Sequence, residues 1–153
     1  WAAWEKAGHQ SPLQFTSFEA FPMAPADMAQ ALDAFPSLSS WRDRFMDVWT
    51  GKGICDLGSL NLTVIKGDAR QTLQTWGGRA DAWFLDGFSP AKNPELWGET
   101  LLSEVARHTA TGGTVATYTA AGFVRRGLIQ AGFEVARVPG YGRKRHMVRG
   151  KLA

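Results

Sequence analysis

Short apolar segments with the character of β-strands alternate with segments of helical periodicity, and this alternation constrains the fold more than any other feature of the sequence. Six segments are predicted to be strands, at residues 15–18, 60–66, 82–85, 114–119, 133–138 and 146–148. Helical segments lie between most of them. This order predicts an α/β sandwich with a mostly parallel sheet, in which right-handed crossovers place helices on both faces.

Two of the predicted strands are distinctive. Leu60–Lys66 alternates and contains three successive β-branched residues, and a hairpin across Gly58-Ser59 would pair it with the turn-rich segment 51–58. Ala82–Leu85 is apolar throughout, which is typical of a strand buried on both faces of a parallel sheet. The last two strands are predicted to pair with each other around a basic turn.

The helical segments are indicated by their first residues and by apolar stripes. Pro25 suits the first turn of one helix, and Asn93-Pro94 predicts another, with Asn93 as the N-cap. Gly112-Gly113 is expected to interrupt the chain before the strand at 114–119. A helix that includes Val124 and Leu128 follows that strand.

Length and composition indicate one globular domain spanning residues 1–153. Hydrophobic residues make up 44% and charged residues 20% of the chain, which excludes a disordered tail and a coiled coil. No apolar run approaches about 18 residues, the length of a membrane span, so no membrane partner is expected. The single cysteine, Cys55, excludes a disulfide framework and a cysteine-based zinc cluster. No metal site is predicted, and a cytoplasmic location is expected.

Charge is distributed unevenly along the chain. Residues 1–124 contain nine basic and thirteen acidic side chains, for a net charge of −4, whereas residues 125–153 contain eight basic and one acidic, for +7. This asymmetry indicates either an anionic partner, for which nucleic acid is the obvious candidate, or a solvated basic surface. The candidate phosphate contacts are Arg125, Arg126, Arg143, Lys144 and Arg145.

Three predicted strands end in a carboxylate, and these residues are Glu19, Asp68 and Asp86. Ligands of open α/β sheets bind beyond the carboxyl ends of the strands. An acid after the second strand of such a sheet suits a ribose diol, because a carboxylate can accept two hydrogen bonds. An acid after the next strand can accept from the adenine amine. Although Asp also favours turns, the pattern predicts an adenosine-containing cofactor.

The segment from Asp86 to Pro94 is the most unusual in the sequence. A strand delivers Asp86, Gly87 permits a sharp turn, and an aromatic residue and two prolines follow. Such a loop can hold a flat base against Phe88 while Asp86 engages a substrate amine.

Residues 81–97, with the sequence DAWFLDGFSPAKNPELW, closely resemble a motif of the methyltransferase domain in the bifunctional tRNA-modifying MnmC family and its stand-alone relatives. Residues 18–22, 112–128 and 140–145 resemble other segments of the same domain. The resemblance extends over almost the whole chain. It implies a class I S-adenosylmethionine-dependent methyltransferase fold, which is Rossmann-like.

The implied reaction methylates the aminomethyl nitrogen of 5-aminomethyl-2-thiouridine at the wobble position of tRNA, with S-adenosylmethionine as donor. Carried over by motif, Glu19 would bind the cofactor ribose and Asp68 would lie at the adenine. Asp86 and Phe88 would face the methyl donor and the target uridine, and the basic residues near the C-terminus would contact tRNA phosphates. We expect Asp86 to orient the amine rather than to act as its base, because aspartate is a weak base.

The resemblance also implies a first strand and a glycine-rich cofactor loop, which would precede Trp1. We therefore expect a partial domain that binds the cofactor poorly by itself. FAD would be required only if the parent chain carried a separate oxidoreductase domain. Two alternative functions stay open: a non-catalytic RNA-binding module and a dinucleotide-dependent oxidoreductase on a related sheet.

Overall fold

The computed structural model describes residues 1–51, 53–142 and 144–153, which form two compact units. Unit 1 is Trp1–Thr72 and unit 2 is Leu73–Ala153. Both contain helices and a sheet, which confirms the α/β class predicted from the alternation of elements. That residues 1–153 act as one domain stays a prediction.

Unit 1 is built on a three-stranded sheet. Its elements are α1 (Ala2–Lys6), β1 (Leu13–Glu19), α2 (Pro25–Leu32), a 3-10 helix (Pro36–Leu38), α3 (Ser39–Met46), β2 (Gly53–Asp56) and β3 (Leu60–Lys66). The strand order is β1-β3-β2, with β1 parallel and β2 antiparallel to β3. The hairpin across Gly58-Ser59 is thus confirmed, and β2 is the part of the turn-rich segment 51–58 that pairs with β3. Gly53 and Gly58 have φ of +87° and +75°, so the turns are confined to the two ends of β2.

The core of unit 1 follows the alternation of β3. Leu60, Leu62 and Val64 are buried on one face of this central strand, together with Cys55 and Trp49. The sheet therefore has an apolar face and a more accessible face, as the period-2 pattern of the sequence requires.

Unit 2 is built on a four-stranded sheet of order β4-β5-β7-β6. Helix α4 (Ala69–Thr75) crosses from unit 1 into unit 2. The remaining elements are β4 (Ala80–Leu85), a 3-10 helix (Pro94–Trp97), α5 (Glu99–Arg107), β5 (Thr109–Thr117), α6 (Gly122–Gln130), β6 (Phe133–Pro139) and β7 (His146–Leu152). Strand β4 is parallel to β5, and the predicted C-terminal strand pair is confirmed as the antiparallel hairpin of β6 and β7.

Parallel pairing is a smaller part of the fold than the sequence predicts. Among the described residues, two strand pairs are parallel and three are antiparallel. The β2–β3 and β6–β7 connections are too short for a parallel crossover, which needs a dozen or more residues. The final strand β7 then pairs antiparallel with β5 as well.

The prediction that Ala82–Leu85 is buried on both faces is wrong. Strand β4 pairs only with β5 among the described strands, and Phe84 is 70% exposed. A run of apolar residues is compatible with a central or an edge strand, and an edge strand has fewer neighbours to cover its side chains.

Two local predictions are also corrected. Asn93 makes no side-chain capping hydrogen bond, and Pro94 begins a 3-10 helix that extended backbone at Gly98 separates from α5. Gly112-Gly113 lies inside β5 rather than before it. The register of β4 on β5 shifts between Ala80 and Ala82, so the glycines accommodate a bulge, and Gly112 has a φ of +72°.

Candidate active site

The loop after β4 presents both predicted catalytic side chains to solvent. Phe88 is 76% exposed. Asp86 is exposed as well, and its carboxylate has no hydrogen-bond or ion-pair partner among the residues that the structure describes. A carboxylate in this state has all its acceptor positions available to a substrate N–H group.

The backbone of this loop, in contrast to its side chains, is held firmly. The Tyr118 hydroxyl donates a hydrogen bond of 2.9 Å to the Gly87 carbonyl oxygen. The Trp97 indole N–H donates one of 2.8 Å to the carbonyl oxygen of Phe88. Because Trp97 is only 3% exposed, the second bond joins the loop to the buried part of unit 2. Two consecutive peptide groups between Asp86 and Ser89 thus have fixed directions.

An open cavity of about 610 Å³ lies beside this loop. It is lined by Phe88, Ser89, Lys92 and Asn93. The Ser89 carbonyl oxygen accepts hydrogen bonds from the amides of Lys92 and Asn93, at 2.8 and 3.0 Å, and these bonds close the turn beneath it. The volume is within the usual range for small-molecule sites.

Unit 1 brings the two other predicted acids to one edge of its sheet. Glu19 ends β1, and Asp68 follows the parallel neighbour β3. The Gly67 amide donates a 2.9 Å hydrogen bond to the Glu19 carbonyl oxygen, which links the two strand ends. This is the carboxyl edge at which ligands of α/β sheets bind. Asp86 and Phe88 belong to unit 2, so the candidate residues form two groups, one in each unit.

Glu19 and Asp68 differ in how far their carboxylates are already engaged. The Ser17 hydroxyl donates to one oxygen of Glu19, at 2.9 Å. Both oxygens of Asp68 accept from the Arg70 side chain, and one also accepts from the Arg70 amide at 2.9 Å. These hydrogen bonds from Arg70 hold the pKa of the Asp68 carboxyl below its usual range. Asp68 therefore also stabilises the start of α4.

The predicted RNA contacts lie on two elements of unit 2. Arg125 and Arg126 are on α6, where Arg125 is half-buried and Arg126 exposed. Lys144 and Arg145 are exposed in the turn between β6 and β7, and Arg143 lies outside the described residues. The Lys144 ammonium nitrogen is 5.3 Å from the centroid of the Tyr118 ring, at a distance typical of a cation–π contact.

Sequence reasoning does not find Tyr118 and Trp97, the two side chains that hold the loop. Tyr118 directly follows the last residue of β5, a position where site residues of parallel sheets collect, so a signal for it was available. Trp97 lies on an apolar stripe, where it cannot be told from an ordinary core residue.

Among the described residues, no group of three or more His, Cys, Asp or Glu side chains is placed to hold a metal ion. Within the same part of the chain, no helix combines the length and the apolar character needed to cross a membrane.

The sequence profile of a family described as S-adenosyl-L-methionine-dependent methyltransferases matches residues 37–153. The chain belongs to this methyltransferase family. It is 45% identical over 158 residues to the tRNA 5-methylaminomethyl-2-thiouridine biosynthesis bifunctional protein MnmC of Pseudomonas aeruginosa strain UCBPP-PA14, covering 97% of this chain. Identity to the protein of the same name from Chromobacterium violaceum is 42%, over 99% of the chain. The methyltransferase chain spans 24% of the length of both relatives.

Solved structures confirm the Rossmann-like fold class of the methyltransferase family. The crystal structure of MnmC2 from Aquifex aeolicus superposes with a TM-score of 0.66 at 25% identity, covering 97% of this chain and 56% of that one. A methyltransferase from Pyrococcus furiosus gives a TM-score of 0.52 at 17% identity, over 95% of this chain and 78% of the other, and supports the fold alone.

Proposed function

We propose that this chain transfers a methyl group from S-adenosylmethionine to the aminomethyl nitrogen of 5-aminomethyl-2-thiouridine at the wobble position of tRNA. The names of the MnmC relatives support the modified nucleoside, and the family description supports the donor. One structural observation carries the proposal: an exposed Phe88 ring and an Asp86 carboxylate without a partner among the described residues project from a loop of fixed backbone, beside an open cavity.

The proposed roles of these residues follow from the chemistry. S-adenosylmethionine supplies an electrophilic methyl group on a sulfonium, and the reaction is an in-line displacement in which positioning matters most. Asp86 accepts an N–H of the neutral amine, which directs the nitrogen lone pair toward the methyl group. Phe88 presents its ring face to the uracil. The proton released after transfer passes to water, because aspartate is a weak base.

Cofactor binding is proposed for the carboxyl edge of the unit 1 sheet. Glu19 has one oxygen that Ser17 does not engage, which fits a ribose hydroxyl. Asp68 is proposed to accept from the adenine amine, in competition with Arg70, which already bonds both oxygens. The residues present therefore fit the nucleoside part of the cofactor better at Glu19 than at Asp68.

Binding of tRNA is proposed for the basic part of unit 2. The exposed Arg126, Lys144 and Arg145 offer three cationic groups to phosphates, and we include Arg125 and Arg143 from their sequence positions. A tRNA substrate places the proposed activity in the cytoplasm.

The proposal is tested by Asp86→Asn, which keeps the size of the side chain but removes its charge and one acceptor. We expect methyl transfer to tRNA to fall by about 100-fold, because the amine is no longer oriented, while tRNA affinity stays within about twofold. The measurements are transfer of labelled methyl from S-adenosylmethionine to tRNA that carries the aminomethyl precursor, and a tRNA titration.

Asp81→Asn is the matched control, since Asp81 is an exposed aspartate on the strand that precedes Asp86 and has no proposed role. Equal loss of binding and transfer in Asp86→Asn would contradict the chemical role of Asp86. Binding of tRNA without any binding of S-adenosylmethionine by calorimetry would favour the non-catalytic RNA module instead.

A further inference from the structure

The Tyr118 side chain connects the Asp86–Phe88 loop to the basic turn between β6 and β7. Its hydroxyl donates to the Gly87 carbonyl oxygen at 2.9 Å, and the Lys144 ammonium lies 5.3 Å from its ring centroid. All of these residues belong to unit 2. The site and the predicted RNA contact are thus joined by one aromatic side chain.

The Tyr118 ring is held in one orientation by its neighbours. Trp97 meets it nearly perpendicularly, with the ring centroids 6.2 Å apart and an interplanar angle of 87°. This edge-to-face arrangement is one of the two favoured geometries for aromatic pairs. Trp97 is itself fixed by burial and by its hydrogen bond to Phe88. The Tyr118 hydroxyl is therefore aimed at the loop by the packing of the ring.

Together with the bond from Trp97 to Phe88, this hydrogen bond holds the loop at Gly87, which has no side chain of its own. A Cβ atom at Gly87 would clash with the Leu96 side chain, so the backbone itself packs closely at this point. The direction of the Gly87 carbonyl fixes the peptide between Gly87 and Phe88. That peptide in turn places the Cα atom of Phe88 and constrains the path of the chain from Asp86.

We propose that Tyr118 is a positioning residue for methyl transfer and that Lys144 acts on the Asp86–Phe88 loop through the Tyr118 ring. The catalytic consequence rests on the proposed function, but the effect on the loop does not. A phosphate and the Tyr118 ring compete for the same ammonium group of Lys144. Binding of RNA at the basic turn and the order of the loop are therefore coupled.

Tyr118→Phe tests the first half of this inference, because it keeps the ring and removes only the hydroxyl. Loss of one hydrogen bond to a carbonyl oxygen corresponds to about a 5- to 10-fold change in an equilibrium or rate constant. We expect amide hydrogen exchange of Lys92 and Asn93, whose amides donate to the Ser89 carbonyl in the same loop, to rise by about that factor, with no change in β7 (His146–Leu152). Tyr141→Phe is the control, because Tyr141 is 94% exposed, and exchange in the loop should not respond to it.

Lys144→Met tests the second half, since Met has a similar length and no charge. The variant should raise exchange of the loop in the wild-type background but have no further effect in Tyr118→Phe, because the bond through which Lys144 acts is then absent. Equal effects in both backgrounds would overturn the role of Lys144. Unchanged loop exchange in Tyr118→Phe, or a rise that includes β7, would overturn the role of Tyr118.

The catalytic consequence is measured separately. In Tyr118→Phe, kcat for methyl transfer, counted per cofactor site, should fall about 5- to 10-fold while KM for S-adenosylmethionine stays unchanged. If neither the wild type nor the variant transfers methyl although both bind S-adenosylmethionine, the proposed function fails, and hydrogen exchange still decides whether Tyr118 holds the loop. A normal kcat with raised loop exchange would overturn the positioning role.

Discussion

At the scale of single residues, Glu5 shows how one carboxylate can join several elements of unit 1. It accepts hydrogen bonds from the Ser59 hydroxyl, from the Trp1 and Trp41 indoles at 3.0 and 2.7 Å, and from Arg44 at 3.2 Å. The hydrogen bond from Ser59, followed by that from Trp41, lowers the pKa of Glu5 from 4.5 to about 2. The donors come from the residue before α1, from α3 and from the β2–β3 turn, so Glu5 in α1 is linked to two other parts of the unit.

The lowered pKa predicts how the stability of unit 1 depends on pH. A carboxyl group whose pKa is lower in the folded than in the unfolded state stabilises the fold above its unfolded pKa. That contribution should be complete above about pH 4.5 and should be lost as the pH falls toward 2. Glu5→Gln should flatten the dependence of the free energy of unfolding on pH in this window. Urea unfolding monitored by tryptophan fluorescence between pH 2 and 6 measures it.

Glu134→Gln is the control for this experiment. Glu134 is exposed in β6, and its side chain has no partner within the described part of the chain, so its removal should leave the pH dependence nearly as in the wild type. A slope that is the same in Glu5→Gln and in the wild type would show that Glu5 does not titrate differently in the folded and unfolded states.

The role of a residue can be predicted from the sequence only where its contacts are with residues nearby in the chain. Asp68 and Asp86 both follow predicted strands, so the sequence pattern gives no reason to expect different environments for their carboxylates. Arg70 binds both oxygens of Asp68, whereas Asp86 has no partner in the described residues. The contacts of Tyr118 and Trp97 with the loop span 31 and 9 residues of chain. Such pairs are set by tertiary packing, which periodicity does not encode.

At the scale of elements, the packing of α5 against α6 depends on a glycine. Leu102 of α5 is 1% exposed, and a Cβ atom added at Gly127 of α6 would lie 2.6 Å from its Cδ1 atom. The two helices can therefore approach closely only because Gly127 has no side chain. Val124 and Leu128, which flank this contact, are fully buried.

We predict that Gly127→Ala destabilises the protein although alanine is the better helix former. Alanine gains about 1 kcal/mol in helix propensity, while overpacking of a well-packed contact costs about 1–3 kcal/mol. The free energy of unfolding should therefore fall by up to about 2 kcal/mol. Chemical denaturation measures the change, which should be smaller in a Leu102→Ala background because the clash is then relieved.

Gly122→Ala in the same helix is the matched control. The nearest atom to a Cβ at Gly122 is the end of the flexible Arg126 side chain, at 3.2 Å, so this substitution should not destabilise. Two results would contradict the close-approach argument: a gain in stability for Gly127→Ala, or the same loss in both backgrounds at position 102.

The bounds of helices and strands can be predicted where the apolar residues have a strong periodicity. They are predicted poorly where glycine and proline determine the ends of an element. Leu60–Lys66 has the bounds predicted from its alternation. Asn93-Pro94 has the composition of a helix start, but the chain first makes a 3-10 helix and turns at Gly98. Gly112-Gly113 has the composition of a break, but it lies in a bulge of β5 because its partner strand shifts register there. The register belongs to the pair of strands and not to either sequence alone.

At the scale of the whole molecule, charge differs between the two units. Unit 1 contains six basic and eight acidic residues, a net charge of −2, and unit 2 contains eleven basic and six acidic residues, a net charge of +5. The sequence predicts the basic character of residues 125–153, which lie in unit 2, and the α/β class, because both depend on composition and order alone. The pairing of strands into two sheets is not predicted, since it depends on contacts between distant segments.

The charge of unit 2 leads to a prediction about the salt dependence of tRNA binding. Each phosphate contact releases counterions and adds about 0.7–0.9 to the slope of log K against log salt concentration. Replacing Arg143, Lys144 and Arg145 with Gln should therefore lower the slope by about 2 and weaken binding at low salt.

The matched control replaces Lys6, Lys66 and Arg79 with Gln, which removes the same charge outside residues 125–153. If both triple variants lost the same slope, tRNA would respond to net charge rather than to the basic turn. If the turn variant kept the wild-type slope, the turn would not contact phosphates.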